Sequence, residues 1–292
     1  MTRILLVAAC CAALCSAQIF KLSPEQLTEI TRKNPYGRFA DGRPNVPAEV
    51  LEKVRGLSVE EAWGPLNGHA DYPNQYEGGW RIMHPGQKLV GRVVTAQFMP
   101  KRADLNDLLV AELKAKFNYT SGPHQWVLDQ LREGDVLVVD MFGKEEGGAV
   151  VGDNLAAFVQ NATKTGGLIV DGAIRDVEGI HPLGMQIYYR HSTPSAIDNV
   201  QLTGYNIPIR IGKATVLPGD VVLGDRTGVY FLPPNLLKSI VDRAEETHIH
   251  DEWTKAKFAT GKYKSSELYP TPKDPAMKKE YEEYKAKKMG KQ

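Results

Sequence analysis

The sequence predicts an α/β fold in which strand–turn–helix units lead into a closely wound β layer. Three observations support this. The apolar runs Val136 to Asp140 and Leu168-Ile169-Val170 alternate with helical patterns, as crossover units do. After residue 186 short apolar runs follow one another through tight turns, which fits a closed or sandwiched β layer better than a doubly wound sheet. Helical segments without strands lie before and after this region.

The 292 residues suit one large domain or two small ones, with ample material for a core. Lys and Arg number 36 against 35 Asp and Glu, so charge gives no case for nucleic acid. Cys10, Cys11 and Cys15 are the three cysteines. They fall in a segment with a positive start at Arg3, an apolar run from Ile4 to Leu14 and the small residues Cys15-Ser16-Ala17. This is the pattern of an export signal (residues 1–17), too short to span a bilayer. Cleavage after Ala17 is expected, giving a periplasmic or secreted chain without cysteine. Val7-Ala8-Ala9-Cys10 loosely resembles a lipoprotein site, but cutting there leaves too short an apolar run. No later stretch is long and apolar enough for a membrane helix.

Residues 18–85 read as a helical and loop extension. Ser23-Pro24-Glu25-Gln26 starts a helix with serine as cap and proline first. Asn34 to Pro47 is a loop. Ala48 to Leu57 and Ser58 to Leu66 are short helices, the second opened by Ser58 with Glu60 and Glu61 in its first turn. Asn67 to Gly79 reads as a solvated loop, with a lid as the alternative. Leu89 to Phe98 is a strand, Leu105 to Lys116 an amphipathic helix, and His124 to Leu131 a short helix. Gln186 to Arg190, Ile207 to Ile211, the two halves of Val216 to Asp225, and Gly228 to Pro233 continue the β layer. A helix from Pro234 to Ala259 precedes a lysine-rich tail (262–292), expected to be docked or partly disordered.

The chemistry concentrates between Gly147 and Gly179. Gly152-Asp153-Asn154 opens a helix running from Leu155 to Lys164, and Gly166-Gly167 is expected to end it. Leu168 to Val170 is a strand buried on both faces, followed by Asp171, Arg175 and Asp176. A helix N-terminus attracts anions, and ligands of α/β sheets gather beyond the carboxyl ends of strands. Arg175 can clamp a carboxylate and Asp176 can hold a hard divalent cation. The competing reading is that Arg175 and Asp176 only pair with each other or cap a loop. There is no phosphate loop, no Gly-x-Gly-x-x-Gly for nucleotide or S-adenosylmethionine, and no Gly-x-Ser-x-Gly. His248 and His250, two residues apart on a helix, point in different directions.

In order, Gly134-Asp135-Val136-Leu137-Val138-Val139-Asp140, Gly152-Asp153-Asn154-Leu155, Val170-Asp171-Gly172-Ala173-Ile174-Arg175-Asp176, and Pro218-Gly219-Asp220 through Asp225-x-x-Gly228-Val229 to Pro233 resemble the family of the regulator of ribonuclease activity A. That family includes the class II 4-hydroxy-4-methyl-2-oxoglutarate aldolases, and some members carry the name demethylmenaquinone methyltransferase. The absence of a nucleotide-type glycine loop argues against methyl transfer. The resemblance covers about 86–261.

The resemblance implies a swivelling-type β/β/α domain in homotrimers or hexamers, with sites between subunits. It implies an aldolase using Mg²⁺ or Mn²⁺ to release pyruvate from a 2-oxo acid, with oxaloacetate decarboxylation alongside. Asp176 matches the metal ligand, and Arg175 the residue contacting the substrate carboxylate and keto oxygen. The amides of Gly152, Asp153, Asn154 and Leu155 match the carboxylate-binding loop. Asp153 matches the acid that holds water on the metal, and Glu252 the acid supplied by a neighbouring subunit. Two departures stand out: Gly179 replaces a frequent acid, with Glu178 one position early, and the Asp153-to-Arg175 spacing is longer. Alternatives are a non-catalytic binding or regulatory oligomer, or a metal-dependent lyase for a sugar-acid or aromatic-derived oxo acid.

Overall fold

The computed structural model describes residues 20–67 and 69–290; the expected export signal and the cysteines lie outside the described residues. The extension holds helix α1 (Pro24–Ile30), strands β1 (Gly37–Arg38) and β2 (Pro44–Asn45), and helices α2 (Ala48–Arg55) and α3 (Val59–Asn67). Reciprocal hydrogen bonds between Ser23 and Gln26, and between Ser58 and Glu61, open α1 and α3, as capping residues at this spacing do. Strands β3 (Tyr76–Glu77) and β4 (Arg81–Ile82) follow.

Next come β5 (Leu89–Pro100), α4 (Ala103–Phe117), α5 (Pro123–Leu128), β6 (Asp135–Ala149), α6 (Asp153–Thr163), β7 (Gly167–Ile174), α7 (Val177–Ile180) and β8 (Gln186–Ser192). The β layer continues through β9 (Val200–Tyr205), β10 (Ile209–Ile211), β11 (Ala214–Val216), β12 (Val221–Gly224) and β13 (Val229–Leu232). The chain closes with α8 (Leu237–Ala259), α9 (Ser265–Leu268) and α10 (Pro275–Met289).

One mixed sheet runs β3-β13-β12-β5-β6-β7-β8-β4, with β9 added on β5. Strands β5 to β8 are parallel, and the other pairings in this sheet are antiparallel. One face of the parallel strands packs Leu137, Val139, Leu168 and Ile187 against α4, α5 and α6. The other face sets Val136, Val138 and Ile169 against the β10–β11 hairpin and β12–β13. Behind β12–β13, Val221, Leu223 and Tyr230 meet α2, α3 and α8. The result is the expected α/β class with a β-on-β interior.

The structure corrects several boundaries. Strand β9, unrecognised in the sequence, pairs with β5 across a register shift. Strand β7 runs on to Ile174, so Asp171 lies inside it. Helix α6 stops at Thr163, with Lys164 at φ 60° as its cap, before the glycine pair. Helix α4 leaves Leu108, Val110 and Phe117 exposed and is less two-faced than expected. The tail docks: Lys257 pairs with Glu280, Lys285 with Glu246 and Lys288 with Glu252, while Trp253 meets Tyr281 at 5.4 Å.

The extension is fastened by a buried ion pair. Arg43 donates both terminal nitrogens to Asp135, at 2.8 and 2.9 Å, and the two side chains are 1% and 0% exposed. At the β11–β12 turn, Leu217 N donates to Asp220 Oδ2 at 2.8 Å. Burial pushes the Asp220 carboxyl up to about 7 from 3.8. An acid whose folded pKa is raised binds extra protons when folded, so its stabilising effect is present below 3.8 and lost as pH rises to about 7.

Arg43→Met strands the Asp135 charge and is expected to cost about 3–5 kcal/mol in chemical denaturation; a change within error would show that the pair does not hold the extension. Asp220→Asn keeps a carbonyl for Leu217 N, so its thermal midpoint should fall less than the parent's across that pH window; identical pH profiles would refute the assignment.

Candidate active site

Strand β7 ends by delivering Arg175 and Asp176 to the entrance of α6. The Arg175 amide donates to Val151 O at 3.2 Å, so the two loops are joined by main chain. Asp176 is left-handed, with φ 57° and ψ 40°, a conformation short polar residues tolerate better than others. Its carbonyl accepts the amides of Gly179 and Ile180, each at 2.9 Å, which starts α7.

The carboxylate of Asp176 lies over Gly152. A Cβ on Gly152 would sit 2.3 Å from Asp176 Oδ2 and 2.9 Å from Arg175 Nε. Only glycine allows that approach. Gly179 plays a matching part: a Cβ there would stand 3.0 Å from Asp153 Oδ2. The glycine that departs from the family pattern therefore makes room for the Asp153 carboxylate, a contact invisible in the sequence because it joins separate turns.

No side chain caps α6 at Gly152, and Asp153 Oδ1 is engaged by the neighbouring Asn154 amide at 2.7 Å. Among the described residues, the Asp153 and Leu155 amides find no acceptor, so this end of α6 keeps its attraction for an anion. Arg175 and Asp176 do pair, Nε to Oδ2 at 3.4 Å, but remain 41% and 39% exposed. An ion pair that open contributes under about 1 kcal/mol, so a ligand can replace it. Gly152, Asp153, Asn154, Leu155, Arg175 and Asp176 are thus brought to one place.

Glu252 is not brought there within one chain. It lies on α8, which packs on α2, α3 and α10, and its carboxylate takes Lys288 Nζ at 2.7 and 2.9 Å. Hydrogen bonds from Lys288 and Tyr284 hold its pKa below the usual range. Asp171 accepts Arg190 Nε at 2.8 Å, while Arg190 also binds Glu77 at 2.7 Å and stacks over Trp80 at 3.7 Å. This network ties β7 and β8 to β3, so Tyr76 and Glu77 belong to a strand rather than a solvated loop. His248 contacts Glu61, whereas His250 faces Tyr281 at 5.2 Å; the rings diverge as their spacing requires.

The model of the Aldolase/RraA family matches residues 58–231. The chain belongs to the RraA-like family. A Halalkalibacterium halodurans protein named "Putative 4-hydroxy-4-methyl-2-oxoglutarate aldolase" is 32% identical over 153 residues, covering 50% of this chain and 70% of its own. A protein of the same name from Ectopseudomonas mendocina is 35% identical over 106 residues, 36% of this chain and 63% of its own. Among solved structures, Streptomyces coelicolor RraAS2, described as an unusual member of the RNase ES inhibitor RraA family, is 26% identical. It superposes with a TM-score of 0.60 over 73% of this chain and 98% of its own. The RraA-like family thus includes proteins named as aldolases and proteins named as inhibitors.

The donors present suit a hard divalent cation. Asp176 offers an accessible carboxylate, and Asp153 follows Gly152, the residue that this carboxylate overlies. No group of three or more His, Cys, Asp or Glu gathers among the described residues, but Mg²⁺ is commonly held by one or two carboxylates while it keeps water in its other positions.

Gly152→Ala is expected to drive the Asp176 carboxylate away by about 1 Å, the shortfall from ordinary van der Waals separation. A crystal structure of the variant with Asp176 unmoved would refute the close approach.

Proposed function

We propose that this chain is a divalent-metal-dependent lyase that cleaves a 2-oxo-acid aldol of the 4-hydroxy-4-methyl-2-oxoglutarate type to pyruvate, and that it also decarboxylates oxaloacetate. The observation that carries this reading is the meeting of Arg175 and Asp176 with the uncapped start of α6 around Gly152. The aldolase names of two relatives support it.

Asp176 would hold Mg²⁺ or Mn²⁺, with Asp153 beside it; when bound, the ion supplies Lewis-acid polarisation of the keto oxygen. The open amides of α6 receive the substrate carboxylate. Arg175 places fixed positive charge where negative charge develops on the keto oxygen. Asp153, with Oδ2 free of the Asn154 amide, drives removal of the aldol hydroxyl proton, directly or through water. The carbon–carbon bond then breaks. Its electron pair passes into the enolate of pyruvate, the former hydroxyl carbon becomes a carbonyl, and the proton returns to the enolate carbon.

The site lies between copies in a homotrimer or hexamer, with Glu252 of an adjacent copy completing the acid set once released from Lys288, and the mature chain works outside the cytoplasm. The Glu252–Lys288 pair favours one second reading, a non-catalytic RraA-type binding protein whose acid is permanently engaged.

The test is pyruvate release from 4-hydroxy-4-methyl-2-oxoglutarate and oxaloacetate by the chain lacking residues 1–17, with Mg²⁺ or Mn²⁺ and with chelator. Chelation should abolish activity, and Arg175→Ala and Asp176→Ala should each lower it by roughly 10²-fold or more, the scale of a lost transition-state contact. Full activity in either variant rejects the mechanism, and a correctly folded oligomer inactive on both substrates favours the binding reading.

A further inference from the structure

A recess lined by neither Arg175 nor Asp176 lies where the extension meets the β layer. It has a volume of about 400 Å³, within the range of small-molecule sites. Its walls come from the end of α1 and the residues after it, the loop around Tyr72 and Asn74, the β10–β11 turn, and Asn235. Asp220 lies at its floor and is 4% exposed.

The carboxyl of Asp220 is only half used. Oδ2 takes the Leu217 amide, while Oδ1 has no hydrogen-bond partner among the described residues. Asparagine would close the same turn without the cost of burying an acid. No arginine or lysine acts on this carboxyl, and burial, partly offset by the Leu217 amide, pushes it up to about 7. Near neutrality it can accept a hydrogen bond from a hydroxyl or donate one to it.

The rim has the opposite character. Lys33 and Lys213 both line it, both are exposed, and neither has an ion-pair partner among the described residues. Lys33 Nζ lies 5.9 Å from the Tyr72 ring. Arg32 is engaged by Glu29 at 3.3 Å, and Asp71 adds one negative charge to the lining. The amides of Asn74 and Asn235 add neutral donors and acceptors between rim and floor.

We infer that this recess binds a small polyhydroxylated carboxylic acid, its hydroxyls toward Asp220 and its carboxylate toward Lys33 and Lys213. The site uses no residue of the lyase proposal and stands independently of it. A wholly apolar ligand would leave the buried carboxyl unmatched, and a simple cation would meet the two lysines first.

The test is calorimetric or NMR titration of the full chain with D-glucuronate, with D-sorbitol and acetate as partial mimics. D-glucuronate should bind saturably and more tightly than either mimic. Lys33→Glu combined with Lys213→Glu, both on the exposed rim and compatible with folding, should weaken it at least tenfold, and Asp220→Asn should weaken it as well. Asp176→Ala should leave it unchanged, which separates this recess from the candidate active site. Absence of saturable binding, binding equal to acetate or sorbitol, or indifference to the rim double variant would each overturn the inference.

Discussion

The bidentate contact between Arg43 and Asp135 is the constraint on which the arrangement of layers rests. Asp135 is the first residue of β6 and Arg43 comes from the extension, 92 positions earlier in the chain. The Arg132 amide also binds Asp135 at 3.0 Å, and Arg92 on β5 approaches it to 3.7 Å. Three guanidinium groups surround Phe39, those of Arg43, Arg92 and Arg132 at 4.7, 5.4 and 4.8 Å from its ring. A buried ion pair is costly to break, because removing either charge leaves the other buried without its partner. The extension is therefore docked at one place, and with it the wall that faces Lys213 and Asp220.

The candidate active site depends on a different kind of constraint, the absence of side-chain volume. The Asp176 carboxylate can lie over Gly152, and the Asp153 carboxylate against Gly179, because neither glycine carries a side chain. The left-handed turn at Asp176 both starts α7 and aims its side chain at α6. Backbone geometry, more than charge, sets where each carboxylate sits. Their openness to solvent leaves the Arg175–Asp176 pair weak enough to be exchanged for a ligand.

The far end of the chain follows a third logic. Helix α10 lies along α8 through ion pairs and a Trp–Tyr contact. The Nε2 of His250, Nε1 of Trp253 and Oγ1 of Thr254 are buried there without hydrogen-bond partners among the described residues, so the docking covers polar groups it does not satisfy. Glu252, the acid the lyase proposal needs from a neighbouring copy, is held by the same helix.

The sequence by itself determined what depends on neighbours a few residues apart. Capping pairs such as Ser23 with Gln26, the apolar runs of β6 and β7, and the grouping of Arg175 and Asp176 just past a strand all follow from local sterics and hydrogen-bond satisfaction. Only the tertiary structure decided what depends on distant partners. Strand β9 exists because β5 offers it an edge, across a register shift that hides its pattern. Asp171 serves Arg190 because β7 and β8 are adjacent, and Glu252 meets Lys288 because the tail folds back. Gly179, which reads as a missing acid, proves to be space for Asp153. Local preference acts over a single turn, whereas long-range pairing and excluded volume arise only once the layers are assembled.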